Sequence, residues 1–264
     1  GLVGSNNSTG TINNSFWNTQ TTGRSNGVGL GSSTGATGET TAQMMQTSTF
    51  SNAGWSISNT GGSSAVWRIY EGNTAPLLRS FLTSYTLSTA PDVSVTYNGS
   101  TQNAGIFTNI PNILGTAASG KNVGIYSGYY SNQKGYDLIG GNLTINPAAL
   151  TVTGANNNAI YNGSAQTNTG ATYTGQKGTD SFTLSGYGTG INASTTAYAD
   201  NLLATAVGST LANNYTISYT NGGLTIGKAA LTVTAGNVTK TYDGTTSATG
   251  TGTVGTIAGW VIRY

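Results

Sequence analysis

The sequence predicts an all-β protein made of repeated units, and three observations carry that prediction. A tyrosine followed by Asn or Asp and then glycine stands at Tyr97-Asn98-Gly99, Tyr161-Asn162-Gly163 and Tyr242-Asp243-Gly244. Leu143-Thr144-Ile145 returns 81 residues later as Leu224-Thr225-Ile226, and Leu150-Thr151-Val152 returns at the same interval as Leu231-Thr232-Val233. Between these marks, short runs alternate apolar residues with Thr and Ser, the period of a strand that buries one face. Self-similarity of this kind places function in an array rather than in a single pocket.

Composition narrows the function classes. Charged residues make up 6% of the 264-residue chain, and 40 residues are glycine, whereas about a quarter of an ordinary soluble chain is charged. Hydrophobic residues still reach 36% and recur at strand-like intervals, unlike disordered chains, which are poor in aromatic and β-branched residues. The formal charge is +2, and the cations Arg24, Arg68, Arg79, Lys121, Lys134, Lys177, Lys228, Lys240 and Arg263 are scattered. Nucleic acid is therefore not an expected partner, because neutralising phosphates needs clustered Lys and Arg. The chain has no cysteine and no histidine, which removes disulfides, thiol chemistry and the commonest general base and metal ligand. No apolar run reaches the roughly 18 residues of a membrane-spanning helix.

Residues 1–82 read as one segment. Gly1-Leu2-Val3-Gly4 and Thr11-Ile12-Asn13-Asn14-Ser15-Phe16-Trp17 are short apolar runs broken by small polar residues, which suits one rung of a stacked β structure. The stretch from Thr21 to Gly38 has almost nothing to bury and is expected to be a loop. Glu39 to Met45 reads as the one helical turn, with Thr40 or Thr41 as its cap. The cluster Phe50, Trp55, Ile57, Val66, Trp67, Ile69, Tyr70, Leu77, Leu78 and Phe81 is apolar enough to seal the end of such a stack. Because the chain opens inside a motif, it reads as a piece of a longer protein.

This segment resembles the GLUG-type repeats, and the cap that follows them, of large filamentous-haemagglutinin-like bacterial exoproteins. The resemblance rests on Gly-Leu-Val-Gly at 1–4, Asn-Ser-Phe-Trp at 14–17, Thr-Thr-Ala-Gln-Met-Met at 40–45, Gly-Trp at 54–55, Val-Trp-Arg-Ile-Tyr-Glu-Gly at 66–72 and Pro-Leu-Leu at 76–78. It implies that residues 1–82 are the end of a β-solenoid.

From residue 83 the pattern changes to separate small domains, expected at 83–147 and 148–227, with the start of a third, incomplete one at 228–264. Val93 to Tyr97 alternates apolar and polar residues and stops at Asn98-Gly99, a turn pair in which both residues accept positive φ. Further strands are expected at Val123–Tyr126, Leu143–Ile145, Leu150–Thr153, Ser181–Leu184, Tyr215–Tyr219, Leu224–Ile226 and Leu231–Thr234. One apolar face and one Thr/Ser face suit a small sandwich with a wet outer surface. Asn146 to Ala149 and Gly227 to Ala230 join successive domains almost without a linker.

The marks resemble the YDG and MBG families of tandem β domains in bacterial surface adhesins. In those families Tyr-Asp/Asn-Gly opens the domain and a string such as Asn214-Tyr215-Thr216-Ile217 followed by Gly223-Leu224-Thr225-Ile226 closes it. The resemblance implies Ig-like or β-grasp-like domains in tandem, export across the outer membrane of a Gram-negative cell through a β-barrel transporter by a two-partner route, and a secreted, extracellular role in attachment or biofilm. The partner would be a host or sister-cell surface. Self-assembly into a filament, sheath or surface layer is the second expectation, and a glycan-binding module the third.

The candidate chemistry is sparse. The acids Glu39, Glu71, Asp92, Asp137, Asp180, Asp200 and Asp243 form no local constellation, and none makes a calcium loop. Gly27-Val28-Gly29-Leu30-Gly31 lacks the Lys-Ser/Thr of a phosphate loop. No catalytic residue, cofactor site or metal site is assigned. Asn at 98 and 162 in the place of Asp243 marks a turn position rather than a charge, so Tyr97, Tyr161 and Tyr242 with their neighbours are expected to be structural. Tyr126, Tyr129 and Tyr130 are the candidates for stacking on a sugar ring, weighed against packing between strands.

Overall fold

The computed structural model describes residues 1–7, 10–107, 111–132 and 134–255. The chain is all-β, with 38% strand, 7% helix and many small sheets. It divides into two compact units, Gly1–Asn146 and Pro147–Tyr264.

The first unit begins with two parallel strand pairs. Val3–Asn6 pairs with Val28–Gly31, and Ser15–Asn18 pairs with Ala36–Glu39. Val28–Gly31 and the first three residues of Ala36–Glu39 fall within the stretch expected to be a loop, and Glu39, expected to begin the helical turn, is strand instead. Parallel pairing uses backbone groups that Gly, Ser and Thr supply as well as any residue, and Val28 alone among those two strands is buried. Asn18 ends its strand by accepting from the N–H groups of Gln20 and Thr21, which caps the helical turn Thr19–Thr22. At the expected helix site, Thr40 and Gln43 cap each other's backbone N–H at 2.9 and 3.2 Å, and Gln43–Met45 is a 3-10 turn. A third turn, Thr47–Ser51, follows and buries Phe50.

Phe50 joins Phe16, Trp55 and Trp67 in an aromatic chain with ring centroids 5.0 to 5.9 Å apart, spacing at which edge-to-face contact is favourable. Ile57–Ser58, Trp67–Arg68 and Leu77–Leu78 form a three-stranded sheet beside it. Ile69, Tyr70 and Leu77 are buried as expected of the apolar cluster, but Val66 and Phe81 are more than half exposed. The division expected at residues 82 and 83 runs through a shared core. Tyr70 and Leu77 pack in one cluster with Leu87, Ala90 and Leu138, with Tyr85, Phe107, Tyr129, Tyr130 and Tyr136 against it.

Residues 83–146 and 148–227 then repeat one strand arrangement. In the first repeat the opening strands Thr83–Thr86 and Val93–Thr96 lie parallel to the closing strands Tyr136–Ile139 and Asn142–Asn146. In the second, Ala148–Thr153 and Asn156–Ile160 lie parallel to Tyr215–Thr220 and Gly223–Gly227. The first closing strand that carries Leu-Thr-Ile also takes Gly124–Ser127 antiparallel, as its counterpart takes Tyr198–Ala199. Gln102–Asn103 pairs with Ser119–Gly120, and Gln166–Thr167 with Thr189–Gly190. Leu114–Gly115 pairs with Tyr129–Tyr130, and Phe182–Ser185 with Leu203–Ala206. The second repeat adds Thr172–Thr174 on the outer side of its opening strand.

In the opening strand of the second repeat the alternation read from sequence is the burial pattern, whereas Ile125 in the expected strand Val123–Tyr126 is 73% exposed. Ala148, Leu150 and Val152 are fully buried while Ala149, Thr151 and Thr153 face solvent. The same Leu-Thr-Val-Thr string at 231–234 behaves differently: only Val233–Thr234 is strand, in a hairpin with Thr253–Val254, and Leu231 and Val233 are 50% and 64% exposed. Among the described residues of this third copy there is no closing strand to cover them. The ending Gly259 to Tyr264 lies outside the described residues.

Leu150 and Leu231 therefore give a paired test. Leu150→Ala should destabilise the second unit by about 3 kcal/mol through lost burial and a residual cavity. Leu231→Ala should stay within about 0.5 kcal/mol, as exposed substitutions do. Urea denaturation of the two variants checks both.

Candidate functional site

The Tyr-Asn/Asp-Gly marks are turns built the same way three times. The Oδ1 of Asn98, Asn162 and Asp243 accepts from the backbone N–H two residues on, at 2.8, 2.9 and 3.0 Å. The glycine after it has a φ of 85°, 82° or 80°, a left-handed conformation that glycine adopts without steric cost. Both Asn and Asp offer that oxygen, which is why the charge is dispensable. In the two complete repeats a glutamine braces the turn: Gln102 Nε2 donates to Thr96 O and Gln166 Nε2 to Ile160 O, each at 3.2 Å. The tyrosine carries the opening strand one step further along the closing strand, with Tyr97 N donating to Asn146 O and Tyr161 N to Gly227 O. Tyr97 is buried and Tyr161 half-buried, whereas Tyr242 is 93% exposed. Asp243 is held below the usual carboxylate range chiefly by its hydrogen bond from Lys240.

The three candidate sugar-stacking tyrosines are all half-buried and fall into two groups. Tyr126 lies over Gly120, where a Cβ would come within 2.3 Å of the ring, and its hydroxyl donates to Asn122 O at 2.8 Å. Tyr198 sits over Gly190 in the same way, at 2.2 Å, with its hydroxyl on Asn192 O. This glycine–tyrosine pair is a second repeat mark that sequence reading missed, because its two members are separated by loops of different length. Tyr129 and Tyr130 pack on the core of the first unit, and the Tyr129 hydroxyl accepts from Phe107 N at 2.7 Å.

The carboxylates are dispersed and tied to separate partners. Glu71 accepts from the N–H of Thr47 at the start of its helical turn, Asp92 from the backbone and side chain of Asn142, and Asp180 from the Tyr215 hydroxyl. Asp200 is buried in the second repeat, where it accepts from Asn168 Nδ2 and from the N–H groups of Gly188 and Gly222. The corresponding places in the first repeat are Ala104, Ala118 and Gly128, so this polar knot belongs to one repeat only. Among the described residues no three of His, Cys, Asp and Glu come together as metal ligands.

Among the described residues, three charged side chains meet in the first unit. Asp137, on the closing strand, lies between Arg68 and Arg79, with Arg68 Nε at 3.2 Å from Oδ1 and Arg79 Nη1 against Oδ2. Side-chain exposure is 6% for Asp137, 4% for Arg68 and 14% for Arg79. Gly62 N also donates to Asp137 Oδ2, and the Arg68 guanidinium stacks over the Tyr70 ring at 4.0 Å. The Tyr70 hydroxyl donates to Tyr136 O at 2.6 Å and accepts from Leu138 N at 3.0 Å, so a single oxygen satisfies an edge of the closing strand. Burial foremost lowers the Arg68 pKa and raises that of Tyr70. In sequence these residues are isolated charges in apolar strings, and nothing in their spacing brings 68, 79 and 137 together.

The chain matches no family model, no curated protein and no solved structure.

Asp137→Ala should cost the first unit about 3–5 kcal/mol, because it leaves the buried Arg68 guanidinium without its carboxylate and beside the partly buried Arg79. Denaturation followed by tryptophan fluorescence measures this, since three of the four tryptophans, Trp17, Trp55 and Trp67, lie in that unit. Tyr70 also makes stability depend on alkaline pH. Its folded pKa lies above the unfolded value, so its contribution is complete below about pH 10 and is lost as the pH climbs beyond it. Melting the first unit at a series of pH values should show that decline, and Tyr70→Phe should flatten it.

Proposed function

We propose that this chain is a segment of a large secreted bacterial surface protein and serves as the stalk of an adhesin in attachment or biofilm. The observation that carries the reading is the duplicated β domain. One strand arrangement, with its parallel opening and closing pairs, its Asx turn and its glycine–tyrosine pair, occurs twice in succession. Pro147 alone separates the last strand of one copy from the first strand of the next. Repetition of a unit whose strands bury one face and present Thr, Ser and Asn on the other supplies length and a solvated surface, which is what a stalk needs.

The parallel pairs at Val3–Asn6 with Val28–Gly31 and Ser15–Asn18 with Ala36–Glu39 support the reading of residues 1–82 as the end of a β-solenoid, with two successive turns of chain in register. The sequence resemblance to exported exoproteins supplies the remainder: passage through an outer-membrane transporter, and a binding region elsewhere in the parent protein that meets a host or sister-cell surface.

Electron microscopy of the purified chain, together with a glycan array, tests the proposal. Single particles and no glycan bound are the expected results. Filaments would replace the stalk with a polymerising building block, and a specific glycan hit would make the segment itself a binding module.

A further inference from the structure

We infer that each complete repeat is a mechanical clamp, built so that tension along the chain shears all the bonds of its closing ladder at once. In the second repeat, residues 148–153 and then 156–160 run parallel to residues 215–220 and then 223–227 in one constant register. Ala148 faces Tyr215, Thr153 faces Thr220, Asn156 faces Gly223 and Ile160 faces Gly227, each pair 67 residues apart. The bond from Gly154 N to Thr220 O and that from Gly223 N to Ala155 O bridge the gap between the two halves, and Tyr161 N to Gly227 O extends the far end. The chain enters the repeat at the start of the first ribbon and leaves it at the end of the second. Because the ribbons are parallel, those two points are at opposite ends of the ladder.

Pulling on them slides one ribbon along the other. Parallel ladder bonds are evenly spaced, so the load is shared among them and no terminal bond opens first. Were the first and last strands antiparallel neighbours, entry and exit would sit at the same end and the ladder would open one bond at a time. The buried side chains of Ala148, Leu150, Val152, Leu224 and Ile226 on these strands must leave the core in the same event.

The first repeat has the same connection: Thr83 to Thr86 faces Tyr136 to Ile139, and Val93 to Thr96 faces Leu143 to Asn146. There the closing strand is held a second time, by Arg68 and Arg79 on Asp137 and by the Tyr70 hydroxyl. The Tyr-Asn/Asp-Gly mark acquires a role in this picture, because its turn ends the opening ribbon at the last rung of the ladder.

The inference deepens the stalk reading, since resistance to tension is what a stalk supplies, yet the two can fail separately. The absence of native cysteine allows handles to be placed by single substitutions in the full chain. Ala149→Cys with Lys228→Cys loads the ladder from opposite ends. Ala149→Cys with Asn213→Cys loads it from one end. All three positions are exposed, and Thr151→Cys in place of Ala149→Cys repeats both pulls with an independent variant.

Single-molecule force spectroscopy at one loading rate, on variants whose melting matches the parent chain, should give a rupture force several-fold higher for the opposite-end pull than for the same-end pull. Forced unfolding is governed by the unfolding barrier along the pulled direction, so equal melting with unequal force identifies the clamp. Equal rupture forces for the two handle pairs would overturn it. A direction-dependent force in a chain that forms filaments would keep the clamp and remove the stalk; equal forces in a single-particle chain would do the reverse.

Discussion

Each complete repeat depends on its last two strands lying parallel to its first two. This pairing joins residues 67 positions apart in the second repeat and 53 or 50 apart in the first. The intervening pairs of the second repeat are shorter than its ladder: Gln166–Thr167 with Thr189–Gly190 is two residues long, and Phe182–Ser185 with Leu203–Ala206 is four. A two-residue strand contributes few bonds and little burial, so such pairs depend on the long ladder beside them. Parallel pairing across such a separation requires a large loop to close before any contact rewards it, which makes the closing strand the decisive step of each repeat.

The charges of a nearly uncharged chain are placed at similar points of commitment. Asp137 sits on the closing strand of the first repeat and is gripped by two arginines from the segment before residue 82. Arginine suits this place because its planar guanidinium can pair with a carboxylate and lie on an aromatic ring at once, as Arg68 does on Tyr70. A buried ion pair is weak as a source of net stability and severe when broken. Its effect here is to fix which strand the preceding segment docks on. The second repeat satisfies its own buried carboxylate differently: Asp200 is ringed by backbone N–H groups and the Asn168 amide.

The strands with a Leu-Thr or Val-Thr alternation were legible in the sequence, since Leu150 to Thr153 and Leu224 to Ile226 advertise a buried face and a wet one. The repeat marks were legible too, and their reading as turns follows from chemistry that Asn and Asp share. What escaped were strands whose pairing rests on the backbone alone. Asn156–Ile160 reads Asn-Asn-Asn-Ala-Ile and Ala36–Glu39 reads Ala-Thr-Gly-Glu; both look like loops, and both find a parallel partner. The buried Arg68 and Asp137 and the partly buried Arg79 were illegible for another reason: the elements that bring them together are far apart in sequence, and a lone charge in an apolar string looks like a solvated one. The glycine–tyrosine pairs at 120 and 126 and at 190 and 198 fall between these cases, visible only once the strand correspondence is known.

The identical Leu-Thr-Val-Thr strings at 150–153 and 231–234 separate what the sequence prefers from what the ladder imposes. Local preference is the same in both, but Ala148–Thr153 has a closing strand beside it, and the described residues of the third copy hold none. Amide hydrogen exchange on the intact chain measures the difference directly. Protection across 148–153 at the level of global unfolding of the second unit, with rapid exchange at 231–234, is the predicted result. Equal protection of the two strings would contradict the claim that the closing strand, rather than the strand's own sequence, holds each repeat together.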